Sequence, residues 1–175
     1  MATKQKTSEE SEITTLEDLY IEEMQDLYSA ENQIIEVLPK MIQAATEPKL
    51  KEGFTLHLEQ TKEQAKRLEE IFKRIGKSAD GKTCKAMKGL VAEGAEALKE
   101  IKPGPVLDAA LIGSAQRIEH YEMAGYGTAR TFARQLGDDA SVSMLEKTLL
   151  EEKQTNEKLT QVAEKMVNPH AAAQK

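Results

Sequence analysis

Apolar residues recur at helical spacing along four long stretches of this chain, and each stretch is closed by a proline or a glycine. Thr15 followed by Asp18 reads as an N-cap with an acid in the first turn. From there Leu16, Tyr20, Met24, Leu27, Glu31, Ile34, Ile35 and Leu38 share one face. Pro39 falls inside that face and predicts a kink or a restart, with Met41 and Ile42 continuing it to a turn at Glu47-Pro48. The second stretch runs from Leu50 to Ile75, with Phe54, His57, Leu58, Thr61, Ala65, Leu68 and Phe72 in line and Gly76 suited to a C-cap. The third runs from Val106 to Leu136 and breaks at Gly137 and two aspartates. The fourth, from Ser141 to Val167, carries Leu145, Leu149, Glu152, Asn156, Leu159, Ala163 and Met166. A weaker helix is expected at about 86–101, after a loop at 77–85 and before Pro103-Gly104-Pro105.

The connections fix the architecture. Tight turns join the first stretch to the second and the third to the fourth, so each pair reads as an antiparallel hairpin. About thirty residues separate the hairpins, and a 26-residue helix is about 39 Å long, a length that such a segment can retrace. Two hairpins joined by one long crossover are the ferritin-like form of the four-helix bundle, here all-α, with a short extra helix on the crossover between the second and third long helices. The expected organisation is a disordered segment at 1–12, the bundle at 13–167 and a flexible tail at 168–175.

Abundant Ala, Glu, Lys, Leu and Gln, with no tryptophan, support helix over sheet. A net charge of −6, with Lys and Arg scattered among acids, gives no basic face for nucleic acid. No run approaches the ~20 apolar residues of a membrane span, and the polar start MATKQKTSEESE lacks the apolar core of a secretory signal. A cytoplasmic protein is expected, with no membrane partner and no large organic cofactor. The single cysteine, Cys84, cannot form an internal disulfide and reads as an ordinary loop thiol.

Acids lie where acids are costly. Glu31 sits at the centre of the first stripe, Glu152 at the centre of the fourth, and Glu122 on the third with Glu119 at its edge. An unpaired buried carboxylate costs many kcal/mol, and several together repel. They are tolerated if protonated, if paired with bases, or if a cation is bound; four would balance two divalent ions, and oxygen ligands suit iron or manganese. The plainer reading is that some acids fall on apolar stripes by accident; three helices aiming acids inward at mid-length favour a built polar site. The second helix presents His57, Thr61 and Gln64 inward, while Glu59 and Glu63 face solvent. His57 is either a ligand, a hydrogen-bond partner for a carboxylate or a satisfied core histidine. His120 faces away, and Tyr28, Tyr121 and Tyr126 either cap the site or simply pack.

These residues carry a family resemblance. Through DLYSAENQ (26–33), HLEQTKEQAKRLEEIF (57–72), AALIGSAQRIEHYEMAGYGTA (109–129) and LLEEKQTNEKL (149–159), the span from Thr15 to about Val167 resembles the YciF-type ferritin-like proteins of bacterial stress responses. That resemblance implies a ferritin-like bundle assembled as a homodimer. More distantly, SAENQ is similar to the first-helix segment of rubrerythrin-branch di-iron proteins, where the glutamate binds metal, and this points to Glu31. EHYE is similar to that branch's third-helix pair, which points to Glu119 and Glu122, and Glu152 is retained in the fourth helix. The branch's second-helix glutamate and histidine correspond to Thr61 and Gln64, and Thr155 stands three residues after Glu152 where a histidine belongs. The implied ligands are therefore Glu31, Glu119, Glu122 and Glu152, with His57 and Gln64 as second-rank candidates. The implied cofactor is iron, two ions, with manganese or zinc also compatible, and the implied reaction is oxidation of ferrous iron by oxygen or peroxide. The missing ligands leave open a rival expectation, a metal-free structural or interaction protein.

Overall fold

The computed structural model describes residues 12–174, so nearly all of the expected disordered segment lies outside the described residues. Six helices follow in order: α1 Leu16–Ala44, α2 Pro48–Ile75, α3 Lys85–Glu100, α4 Pro105–Gln135, α5 Asp139–Val162 and, after a π-helical turn at Ala163–Val167, α6 Asn168–Ala172. The four long helices α1, α2, α4 and α5 form a ferritin-like bundle, and α3 lies on the crossover, packed against α4 and α1.

Local chemistry sets the ends. Thr15 and Asp18 form a reciprocal capping box at the start of α1, and Gly76, at φ 67°, closes α2 in the left-handed conformation that glycine adopts without strain. Asp138 caps α5 by accepting from the Ser141 N–H, and Arg74 at the end of α2 binds the same Asp138. The end of α2 thus meets the start of α5. Asp108, in the first turn of α4, accepts from the N–H groups of Thr46 and Glu47 at 2.8 and 2.9 Å and from the Thr46 hydroxyl at 2.6 Å. That buried carboxylate fastens the α1–α2 turn to α4. These two ties make α1 antiparallel to α4 and α2 antiparallel to α5, the arrangement that one long crossover demands.

The core divides into two apolar layers. One gathers Ile34, Leu38, Leu50, Phe54, Met87, Leu111, Ile118 and Leu159 from five helices; the other gathers Met24, Leu27, Leu68, Phe72, Tyr126, Leu145 and Leu149. Between them in chain register lie the buried polar residues Glu31, His57, Thr61, Gln64, Glu119, Glu122 and Glu152.

Three local expectations are revised. Pro39 does not restart α1: it lies on the exposed face of one helix that continues to Ala44. Helix also extends past Val167 to Ala172, where a flexible tail was expected. The π turn adds a residue to that turn, so Val167 takes the buried position assigned to Met166, and Pro169 sits in the first turn of α6, where no N–H is needed. Cys84 is fully buried rather than a loop thiol. Its sulfur caps α3 through the Met87 N–H and lies 3.0 Å from the Tyr121 hydroxyl, which also bonds Asp26. No helix among the described residues is long and apolar enough to cross a membrane.

Replacing Asp108 by alanine strands two backbone donors and a hydroxyl at the α1–α2 turn. Urea unfolding of Asp108→Ala is expected to show a loss of about 2–3 kcal/mol, with Asp108→Asn intermediate because its amide oxygen still accepts.

Candidate metal centre

Four helices contribute to the polar layer, each near its middle: α1 brings Glu31, α2 His57, Thr61 and Gln64, α4 Glu119 and Glu122, and α5 Glu152. The three-residue spacing of Glu119 and Glu122 places both on one face of α4, so the edge position expected for Glu119 proves to be fully interior. One ligand atom each from His57, Glu119, Glu122 and Glu152 lie within 4.8 Å of one another. Glu31 stands beside this group, one oxygen accepting a hydrogen bond from the Tyr126 hydroxyl.

His57 Nε2 approaches Glu119 Oε1 to 3.2 Å, yet neither atom has a hydrogen-bond partner, so the pair is a close approach and not a bond. Burial lowers the imidazole to about 4, and the ring is neutral at ordinary pH. A neutral imidazole with unpaired nitrogens is a ready metal ligand.

Gln64 and Thr61 are engaged differently. The Gln64 amide nitrogen donates to Glu152 and, at 3.2 Å, to Glu151. Glu151 in turn receives both ends of the Arg67 guanidinium at 2.6 and 2.9 Å, and Arg67 also reaches the Thr148 hydroxyl. The Thr61 hydroxyl donates to the His57 carbonyl of its own helix. Arg67 and Glu151 were not singled out from the sequence; Arg67 lies three residues from Gln64, the spacing that shares a helix face. Among the tyrosines only Tyr126 reaches the carboxylates, since Tyr28 bonds Glu69 and Tyr121 bonds Asp26. His120 is exposed, with Nδ1 against the Gln116 carbonyl, and His170 is exposed on α6.

Burial dominates the electrostatics. It pushes Glu31, Glu119 and Glu122 well above the ordinary carboxyl range, with neighbouring glutamates raising them further. Glu152 is raised to about 7, mainly by burial, while the Glu119 carboxyl beside it and the hydrogen bond from Gln64 restrain the shift. Among the described residues, eleven buried side-chain atoms lack a hydrogen-bond partner, and all but Tyr20 Oη and Arg130 Nε belong to Glu31, His57, Gln64, Glu119, Glu122 and Glu152. Buried polar atoms are ordinarily satisfied, so such a concentration in one layer makes it a candidate place for a bound ion. One imidazole nitrogen and several carboxylate oxygens fit iron, manganese or zinc, and fit calcium or magnesium poorly because of the nitrogen.

Fold and site together define a ferritin-like bundle with a histidine-and-carboxylate centre at mid-height. The chain belongs to the family described as Domain of unknown function (DUF892), whose model matches residues 15–172. Protein YciF of Escherichia coli strain K12 is 40% identical over 158 residues, which span 90% of this chain and 95% of that protein. The crystal structure of the E. coli stress protein YciF matches with a TM-score of 0.85 and 37% identity, covering 93% of this chain and 100% of that one. YcfI of Rhodopseudomonas palustris matches with a TM-score of 0.85 and 45% identity, covering 88% and 98%.

In metal-free protein the buried acids keep protons that the unfolded chain releases above about 4.5, so their effect is to lower stability as pH rises. His57 acts in the opposite sense only below 6.5, where an unfolded imidazole takes up a proton that the buried ring refuses until about 4. Between pH 6.5 and 8.5 the acids act alone. Urea unfolding of chelator-treated protein is expected to weaken across that window by about 1.4 kcal/mol per pH unit for each proton retained; a flat profile would mean that the carboxylates are ionised and hydrated.

Proposed function

We propose that this chain is a stress-associated cytoplasmic metalloprotein, a homodimer, whose centre takes iron and supports oxidation of ferrous iron by oxygen or peroxide. The observation that carries this reading is the convergence of His57, Glu119, Glu122 and Glu152 on one small volume with their ligand atoms unpaired. Membership of the family and similarity to the E. coli stress protein support it. When bound, ferrous iron supplies the electron that oxygen or peroxide accepts. The protein's part is to hold and to neutralise. His57 offers a neutral nitrogen, and Glu119, Glu122 and Glu152 surrender protons as the cation enters. Gln64 keeps Glu152 in place through its amide, and Tyr126 does the same for Glu31. The two apolar layers limit water, which strengthens each charge interaction within.

A second reading, a metal-free structural or interaction protein, is favoured by Thr61 and Gln64, both turned to hydrogen bonding, and by the structural role proposed in the name of YcfI. Metal content separates the two. Anaerobic ferrous titration is expected to load the protein and to raise its unfolding free energy by about 2.7 kcal/mol at a hundredfold excess over Kd. Glu119→Ala should abolish both effects, and admitting oxygen should oxidise the bound iron faster than free iron. Failure of the wild type to bind above the Glu119→Ala background would leave the structural reading.

A further inference from the structure

Resting on the metal reading above, we infer that the centre holds one ion per chain and not a pair, the side where a second ion would sit being occupied by the hydrogen-bonded line of Arg67, Glu151 and Gln64. The four groups that close together, His57, Glu119, Glu122 and Glu152, form one coordination set and one only among the described residues. Two atoms on opposite sides of an ion bound at about 2.1 Å are about 4.2 Å apart. A group whose atoms lie within 4.8 Å therefore closes on one ion with small side-chain movements. It also contains the only nitrogen donor in the layer.

The other half of the layer is furnished for a different purpose. Gln64 turns its amide N–H groups, not its carbonyl, toward Glu152 and Glu151. Behind Glu151 stands Arg67, bound through both guanidinium ends and held further by Thr148. A cation approaching from that side meets amide donors and a Glu151 carboxylate whose charge is already spent on Arg67. Thr61 donates its hydroxyl proton to the His57 carbonyl and presents only a neutral oxygen, a weak ligand beside carboxylates. Outside the carboxylates already committed to that ion, whose spare oxygens can chelate it, two unpaired oxygens remain, Glu31 Oε2 and Gln64 Oε1. Two protein oxygens without a nitrogen fall short of the three or more side-chain ligands that iron, manganese and zinc sites usually carry. Glu31 is instead fastened by Tyr126 as a wall beside the ion. On this reading the chain of Arg67, Glu151, Gln64 and Glu152 is a positioning device: it fixes one ligand of the single ion and takes the place of the second.

The test is stoichiometry, with manganese(II) as the probe on intact wild-type protein. Native mass spectrometry is expected to show one ion per chain at saturation, and electron paramagnetic resonance the six-line pattern of an isolated manganese. Two ions per chain, or the multiline signal of a coupled pair, would overturn the inference while leaving the metal reading intact. No bound ion at all would overturn the metal reading instead. Glu31→Gln, which keeps an acceptor for Tyr126, should retain one ion with affinity changed less than about threefold. Glu119→Gln should weaken binding by tenfold or more. If Glu31→Gln weakens binding as strongly as Glu119→Gln, Glu31 is a ligand and the assignment fails.

Discussion

The cost of moving carboxylates out of water governs this molecule. Four glutamates lie in a layer where each is almost wholly shielded, and Arg67, the guanidinium at its edge, is paired with Glu151 rather than with them. A fold cannot carry such a burden by accident, since each uncompensated charge removes several kcal/mol from a total stability of roughly 5–15 kcal/mol. The rest of the bundle can be understood as the frame that makes the burden bearable. Apolar packing above and below the layer provides the stabilisation, and Asp108 and Asp138 lock the helix ends so that the four acids meet at one height.

The polar residues fall into two functional halves. On the His57 side, ligand atoms face one another without partners. On the Arg67 side, a continuous hydrogen-bonded line runs from a half-buried guanidinium through Glu151 and Gln64 to Glu152. The first half has the chemistry of a cation site; the second is a charge pair held by its own hydrogen bonds. Glu152 stands at their junction, where Glu119 beside it and the Gln64 amide hold its rise to about 7 against burial and the charge of Glu151.

Much of this was legible in the sequence, for physical reasons. Helical periodicity exposes any polar residue that interrupts an apolar stripe, so Glu31, Glu122 and Glu152 announced themselves. Connection length separates a crossover bundle from a simple up-and-down one, because the chain must retrace a helix. What escaped was chemistry that depends on neighbours in space. Whether Pro39 breaks a helix depends on which face is wet. The Cys84 burial follows from α3 closing over it, which no local pattern encodes. Nothing in their own helices singles out Arg67 and Glu151, and only the packing of α2 against α5 brings them together beside Gln64. The shift of one position at Val167 comes from a π turn that a regular 3.6-residue wheel cannot anticipate.

The two apolar layers have a consequence for traffic. They plug the bundle lengthwise on both sides of the carboxylates, so there is no axial route to the centre. Whatever exchanges there, a proton, a water or a cation, crosses sideways through a seam between helices. Glu151, still 17% exposed between α2 and α5, stands at one such seam, where its movement would bear on the rate of exchange. A gate of this kind works by breathing, and it can be slow even where the equilibrium is highly favourable.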